Sequence, residues 1–442
     1  MNYLFEKVTV VSADTESQVD RVENTAKTEI ISDAYVLVED GKISSVDREP
    51  PQDFTGSRID GRNKVLMPGL INAHTHLPMT AFRGYADDYD LHTWLNSYIF
   101  PAEDKLTDST ASVFSDLALA EIIASGTTSL SDMYFFSDTI ASRVAEAGLK
   151  ANISRAIVSF DDDYDIRTDK RGQELIDLVN TWHGYDSGRI LIEAAVHAEY
   201  TSFPKVWTSV SEYASERGLR MHIHLSETKS EHEACIEKYG MTPASILNKY
   251  GIFNVSTSAA HCVYVDRDDI ELLRQKGVSV IHNPISNMKL ASGICPVSEL
   301  LSSRINVALG TDSVSSNNSH DIFEEMKCAA LVAKIRTNDP SALKAAQVLR
   351  MATVGGAIAQ GRSNECGALY PGMDADLILV DFDNPHLIPS YNPVSNIVYS
   401  ARGCDVVMNM VRGRIVYKDG EFFTIDLERV KRQARAAANI FR

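Results

Sequence analysis

Cysteine is sparse: six thiols, at 235, 262, 295, 328, 366 and 404, lie far apart in a chain of 442 residues. None forms a Cys-x-x-Cys pair, so no tight disulfide framework is spelled out and the thiols read as reduced, as in a cytoplasmic setting. Positive charge is also short. Forty-three Lys and Arg stand against sixty Asp and Glu, a net charge of −17 that repels phosphate backbones and anionic lipid. No apolar run approaches the roughly 18 residues of a membrane span. The opening Met1-Asn2-Tyr3-Leu4-Phe5-Glu6-Lys7 lacks the basic flank and apolar stretch of a signal peptide. Neither nucleic acid nor a membrane is therefore expected as a partner. Also missing are the GxxxxGK[ST] phosphate loop, a GxGxxG after a strand, a GxSxG nucleophile elbow, and the HxE with PCxxC of the small zinc nucleoside deaminases.

What is present can bury a large core, because 44% of the residues are hydrophobic. Residues 3–11 and 34–46 alternate apolar and polar positions around Asp40-Gly41, as half-buried strands do. The same texture returns at 367–382 and 405–423, with Pro371-Gly372 and Asp419-Gly420 as turns. Between these ends lie eight short apolar runs, near 65–76, 127–133, 150–158, 190–197, 220–225, 256–262, 278–283 and 305–312. Helix-like amphipathic stretches such as 107–125, 203–217 and 320–335 separate them. Eight strand-then-helix units predict an α/β fold, a (β/α)8 TIM-type barrel whose chemistry sits at the strand C-termini. The expected organisation is a β-sandwich built from 1–64 and 365–426, a barrel at 65–364 inserted between them, and a basic amphipathic helix at 427–442.

The strand ends carry the chemistry. His74-Thr75-His76 closes the first run, and a spacing of two puts both imidazoles on one face. Met221-His222-Ile223-His224-Leu225 repeats the pattern, and its apolar alternate positions turn the histidine face toward the barrel interior. His261 ends the sixth run and Gly310-Thr311-Asp312 the eighth. Imidazoles and a carboxylate converging on one mouth would leave buried polar groups unpaired without a cation. Such a donor set suits one divalent metal, zinc or ferrous iron, over magnesium or calcium. Glu227 follows just beyond His224, where a carboxylate can move protons beside water that a cation has acidified to a pKa of about 7. His92, His183, His232, His320 and His386 read as surface or packing residues, with His282 intermediate.

Pro68-Gly69-Leu70-Ile71-Asn72-Ala73-His74-Thr75-His76, His222-Ile223-His224-Leu225-Ser226-Glu227, Ala260-His261-Cys262, His282-Asn283-Pro284 and Gly310-Thr311-Asp312-Ser313 resemble the amidohydrolase superfamily, in its triazine hydrolase and aminohydrolase branch. Within that branch the chain is most similar to the 5′-methylthioadenosine/S-adenosylhomocysteine deaminases, through His76-Leu77-Pro78-Met79-Thr80, Arg83 to Asp88, Pro101-Ala102-Glu103, Asn287 to Gly293 and Asn317 to Lys327. The resemblance implies that His74, His76, His224 and Asp312 hold one metal, that Glu227 shuttles protons, and that His261 steadies the attacking water. It leaves His222 a supporting or packing role. It further implies that Glu103 binds ribose hydroxyls while Arg155, Arg167 and His197 contact the rest of a nucleoside. A homo-oligomer is implied in the same way. One departure stands out: Val196-His197-Ala198-Glu199 lacks the prolines usual around this histidine, and Glu199 is expected to add negative charge near the pocket.

The expected reaction is hydrolytic deamination of an adenine nucleoside (S-adenosylhomocysteine, methylthioadenosine or adenosine). Guanine, a pterin or an s-triazine are rival substrates for the same machinery. A non-catalytic oligomeric scaffold is the rival of another class, disfavoured because the ligand set is complete.

Overall fold

The computed structural model describes residues 2–13 and 28–441; residues 14–27 of the proposed first sandwich segment, and Met1 and Arg442 at the ends, lie outside the described residues. Eight parallel strands follow one another around a nearly closed barrel: β1 (Leu70–Thr75), β2 (Thr127–Tyr134), β3 (Lys150–Ile157), β4 (Ile190–Val196), β5 (Met221–Leu225), β6 (Thr257–His261), β7 (Ser279–His282) and β8 (Val307–Leu309). A parallel bridge between Thr75 and Asp312, with the Asp312 N–H donating to the His74 carbonyl at 3.0 Å, ties the last strand end to the first. Helices run outside, among them Asp108–Ala124, Pro204–Arg217 and Ile322–Thr337, close to the expected stretches. Pro204 opens its helix where a missing N–H costs nothing. Met221, Ile223 and Leu225 of β5 belong to the apolar layer with helix residues such as Trp207 and Leu247, so His222 and His224 point inward.

Two of the eight runs depart furthest from their apolar texture. The run 65–76 divides at Gly69: Lys64–Pro68 joins a second sheet and Leu70–Thr75 becomes β1. A Cβ at Gly69 would lie 2.1 Å from Thr128 Cγ2, so only glycine lets the chain cross there. The run 305–312 keeps only Val307–Leu309 as strand, because Asp312 turns into the left-handed region (φ 61°) to aim its carboxylate at the mouth.

Among the described residues the second sheet has nine strands of mixed direction and takes them from both chain ends. Leu66 faces Leu379 in antiparallel register, while residues 9–10 run parallel to 65–66. Its core alternates as the sequence does, through Ala34, Val36 and Val38, then Leu377 and Leu379, then Met408 and Met410. Tyr3, Phe5, Val8 and Val10 keep facing this core although the spacing slips from two to three. A bulge between Phe5 and Val8, with Lys7 at φ 55°, absorbs the extra residue. Asp40-Gly41 and Asp419-Gly420 both have two positive φ angles, the geometry of tight hairpin turns. The C-terminal helix runs Leu427–Ala437 and continues as a 3-10 turn to Phe441. No helix among the described residues is long and apolar enough to cross a membrane.

Candidate metal centre and cavity

Three histidines at the barrel mouth each have one ring nitrogen tied down, and the tie decides which way the other points. His76 Nδ1 donates to the Met133 carbonyl in a short hydrogen bond, and His224 Nδ1 donates to the His197 carbonyl at 2.8 Å. His74 Nδ1 lies 3.0 Å from His222 Nε2. All three Nε2 atoms therefore face one point. Asp312 Oδ1 approaches the same point, 3.1 Å from His76 Nε2 and 3.6 Å from His74 Nε2. Its other oxygen accepts from Ser286 Oγ at 2.6 Å and Ser316 Oγ at 3.0 Å, which fixes the carboxylate plane.

The four potential ligand atoms lie within 4.8 Å of one another, and all four residues are buried. His224 Nε2 stands only 3.4 Å from His76 Nε2, and His74 Nε2 is buried with no hydrogen-bond partner among the described residues. Lone pairs crowded this closely repel unless a cation sits between them. Burial drives the His74 and His224 imidazoles well below their ordinary pKa, so both stay neutral as ligands require. Burial alone would raise Asp312, but the neighbouring His74 and His76 imidazoles hold its carboxyl well below the usual range. Three imidazole nitrogens and one carboxylate oxygen fit a divalent metal.

Beside this cluster stand Glu227 and His261. His261 Nδ1 donates to Asn287 Oδ1 at 2.8 Å, which leaves Nε2 facing Glu227 Oε2 at 3.8 Å. Glu227 Oε1 accepts from Ser292 Oγ at 3.3 Å. Burial raises the Glu227 carboxyl, opposed by His261. Its backbone is held by Glu231, whose carboxylate accepts the N–H groups of Ser226, Glu227 and Thr228 at 3.1, 2.7 and 3.3 Å. This brace is the reciprocal half of a helix cap, since the Glu231 N–H donates to Thr228 Oγ1 at 3.2 Å. Ser226, His261, Cys262 and Asp312 all carry positive φ, so the chain bends sharply just where the strands end.

The cluster forms the floor of a cavity of about 470 Å³. Its walls are mainly apolar: Trp94, Ile99 and Phe100 on one side, Phe135, Phe136 and Phe160 on another. Glu103 lines the wall and accepts a 2.5 Å hydrogen bond from Tyr134, and burial pushes its carboxyl up to about 7. From its sequence position alone it reads as a solvated helix-start residue; it is instead half-buried in the cavity. His197 lines the wall as well, and burial lowers it to about 4.

The two arginines are placed differently. Arg155 is buried under Phe135, its guanidinium carbon 5.1 Å from the ring centroid, and it pairs through Nε with Glu174 at 2.8 Å. Arg167 is exposed and pairs with Glu216 at 2.7 Å. Neither is among the residues lining the cavity, and nor is Glu199. Burial pushes the Glu199 carboxyl up to about 7, which blunts the negative charge expected there. His282 and His320 are fully buried packing residues. Sequence reasoning missed the Trp94–Phe100 wall, Tyr134 with Phe135 and Phe136, and Glu231. Tyr134 is the last residue of β2 and Phe135 and Phe136 follow it directly, so all three were findable by reading every strand end; the wall helix carries no such marker.

The chain is similar to several known proteins over most of its length. The model of the amidohydrolase family matches residues 65–416. A 5′-deoxyadenosine deaminase of Methanosarcina mazei is 44% identical over 409 residues, 92% of this chain and 93% of that protein. A 5-methylthioadenosine/S-adenosylhomocysteine deaminase of Moorella thermoacetica is 44% identical over 375 residues, 85% of this chain and 87% of its own length. Among solved structures, an adenosine deaminase from Xanthomonas campestris with bound zinc superposes with a TM-score of 0.91 at 32% identity, covering 99% of this chain and 98% of that one.

Proposed function

The chain belongs to the amidohydrolase family, and from that premise we propose that it hydrolyses the exocyclic amine of an adenine nucleoside, releasing ammonia and the inosine analogue. The observation that carries this reading is the convergence of His74, His76, His224 and Asp312 on one point, with Glu227 and His261 beside it, at the floor of a largely apolar cavity. Zinc is the proposed cation, supported by the nitrogen-rich donor set and by the zinc bound in the related adenosine deaminase. When bound, a divalent cation supplies an acidified water that can add to carbon near neutral pH.

The chain's own residues then divide the work. Water adds to C6 of the purine, and the ring must gain a proton at N1 as the new C–O bond forms. Glu227, whose burial keeps its carboxyl protonated to higher pH than an exposed glutamate, is the donor to N1. Asp312 takes the proton that the attacking water sheds. His261, anchored by Asn287, presents Nε2 toward the charge that grows on the attacking oxygen. Glu227, now ionised, takes the proton of the new hydroxyl as the C6 carbonyl forms, the proton held on Asp312 passes to the amine, the C6–N bond breaks, and ammonia leaves. Glu103 accepts the ribose hydroxyls, and His197 borders the nucleoside while its carbonyl steadies His224.

The apolar walls and the pairing of Arg155 and Arg167 with Glu174 and Glu216 favour a small uncharged 5′ group, as in 5′-deoxyadenosine or methylthioadenosine, over the amino-acid tail of S-adenosylhomocysteine. A zinc-loaded preparation assayed for ammonia release tests the whole reading. Adenosine, 5′-deoxyadenosine, methylthioadenosine, S-adenosylhomocysteine, guanine and an s-triazine form the panel. Turnover of the 5′-uncharged adenine nucleosides is expected; turnover confined to guanine or the triazine overturns the proposal.

A further inference from the structure

Below the metal ligands, the barrel interior holds a line of polar side chains where apolar ones would pack with less cost. His74 on β1 meets His222 on β5, and His222 Nδ1 lies 3.4 Å from Glu193 Oε2 on β4. Glu193 is further held by Asn152 Nδ2 at 2.8 Å and lies 3.5 Å from Arg220 Nε. Asn152 in turn accepts from Arg362 Nε at 3.1 Å. His74, His222 and Asn152 are fully buried, and Glu193 and Arg362 are 1% exposed. A carboxylate in such a place is tolerated only when it is paired and hydrogen-bonded.

We propose that Glu193 and His222 are positioning residues that fix the proton of His74 on Nδ1 and so keep its Nε2 lone pair aimed at the cation. The inference rests on reading the His/Asp cluster as the metal site. A neutral imidazole has one donor and one acceptor nitrogen. With Nε2 of His74 turned to the metal, Nδ1 must carry the proton and donate to His222 Nε2. His222 can accept there only if its own proton lies on Nδ1, the atom that faces Glu193. One carboxylate thereby sets two tautomers in series. It also makes His74 a stronger electron donor, since a hydrogen-bonded N–H raises the basicity of the opposite nitrogen. His76 and His224 lean on backbone carbonyls, which cannot be removed by side-chain substitution; His74 alone of the three depends on side chains.

The test uses the full chain. In the zinc-loaded parental protein labelled with 15N-histidine, both His74 and His222 should be neutral with the proton on Nδ1. A His222 proton on Nε2 overturns the proposal without any variant being made. Glu193→Gln and His222→Phe should each weaken zinc about 10- to 100-fold, read by competition with a chromophoric chelator. Ser129→Ala, which removes a hydroxyl bonded to Gln360 in the same interior, should keep parental affinity. Parental zinc affinity in both Glu193→Gln and His222→Phe overturns the inference while leaving the metal site standing. A parental chain that takes up no zinc overturns the two together.

Discussion

In the proposed reaction Glu227 gives up a proton and regains one within a single turnover, which requires a carboxyl neither too acidic nor too basic. Burial raises it and His261 opposes the rise, while the Glu231 brace holds its backbone without consuming its side-chain oxygens. Glu227→Gln should therefore retain the metal and lose about 100- to 10,000-fold in turnover. Metal analysis beside steady-state kinetics checks both halves, and near-parental turnover would remove the assigned role. Glu103 gives a prediction of opposite character. Its carboxyl titrates near 7 because burial outweighs the Tyr134 hydrogen bond, and only the ionised form offers both oxygens to ribose hydroxyls. As pH falls from 8 to 6, Glu103 takes up a proton and KM should rise, by up to about tenfold per unit below 7. In Glu103→Gln the KM should be higher throughout and lack this slope; an unchanged slope would assign the titration elsewhere. The sequence brought His74, His76, His222 and His224 to one interior because His-x-His on a strand puts both rings on the same face. Arg167 was less legible, since a loop residue's direction depends on the neighbour it finds, here Glu216 on a helix 49 residues away.

At the scale of elements, most strands and turns were legible because each is set by local chemistry. Alternation placed Ala34, Val36 and Val38 inward, and Asp-Gly pairs made the hairpin turns. The division of 65–76 was missed although Pro68-Gly69 is the same punctuation read as a turn at Pro371-Gly372, because apolar residues flank it on both sides. What breaks the run is distant in sequence: the close approach of Thr128 from β2 to the Gly69 backbone. Gly69→Ala would set a Cβ within 2.6 Å of three Thr128 side-chain atoms, including its Cβ, which no rotamer change relieves. The substitution should destabilise the protein by about 1–3 kcal/mol through overpacking. A chemical denaturation midpoint measures it, and an unshifted midpoint would show that the crossing has room to spare.

The barrel and the terminal sheet are joined through charge as well as apolar packing. The barrel could be read from eight periodic runs, whereas the partners of the terminal strands could not, because pairings such as Leu66 with Leu379 leave no local mark. The junction itself was equally hidden. Lys150, the first residue of β3, is only 1% exposed and sits at the barrel end opposite the candidate metal centre. Its Nζ lies 2.7 Å from Asp376 and 2.8 Å from Asp374, which lead into the Leu377–Asp381 strand of the other sheet. Asp376 also accepts the Arg412 N–H at 2.7 Å, so one aspartate ties three separate segments. Burial would lower Lys150, but the charges of Asp376 and Asp374 outweigh it, so the ammonium is held well into alkaline pH. Lys150→Met keeps much of the side-chain volume and strands Asp376 as an unpaired buried carboxylate, at a cost of about 3–5 kcal/mol. Because the lesion lies at the far end of the barrel, the surviving folded fraction should keep parental metal content and KM. A double variant, Lys150→Met with Asp376→Asn, removes the stranded charge and should recover part of the loss. Equal denaturation midpoints for the single and double variants would mean that the ammonium contributes packing rather than charge at this junction.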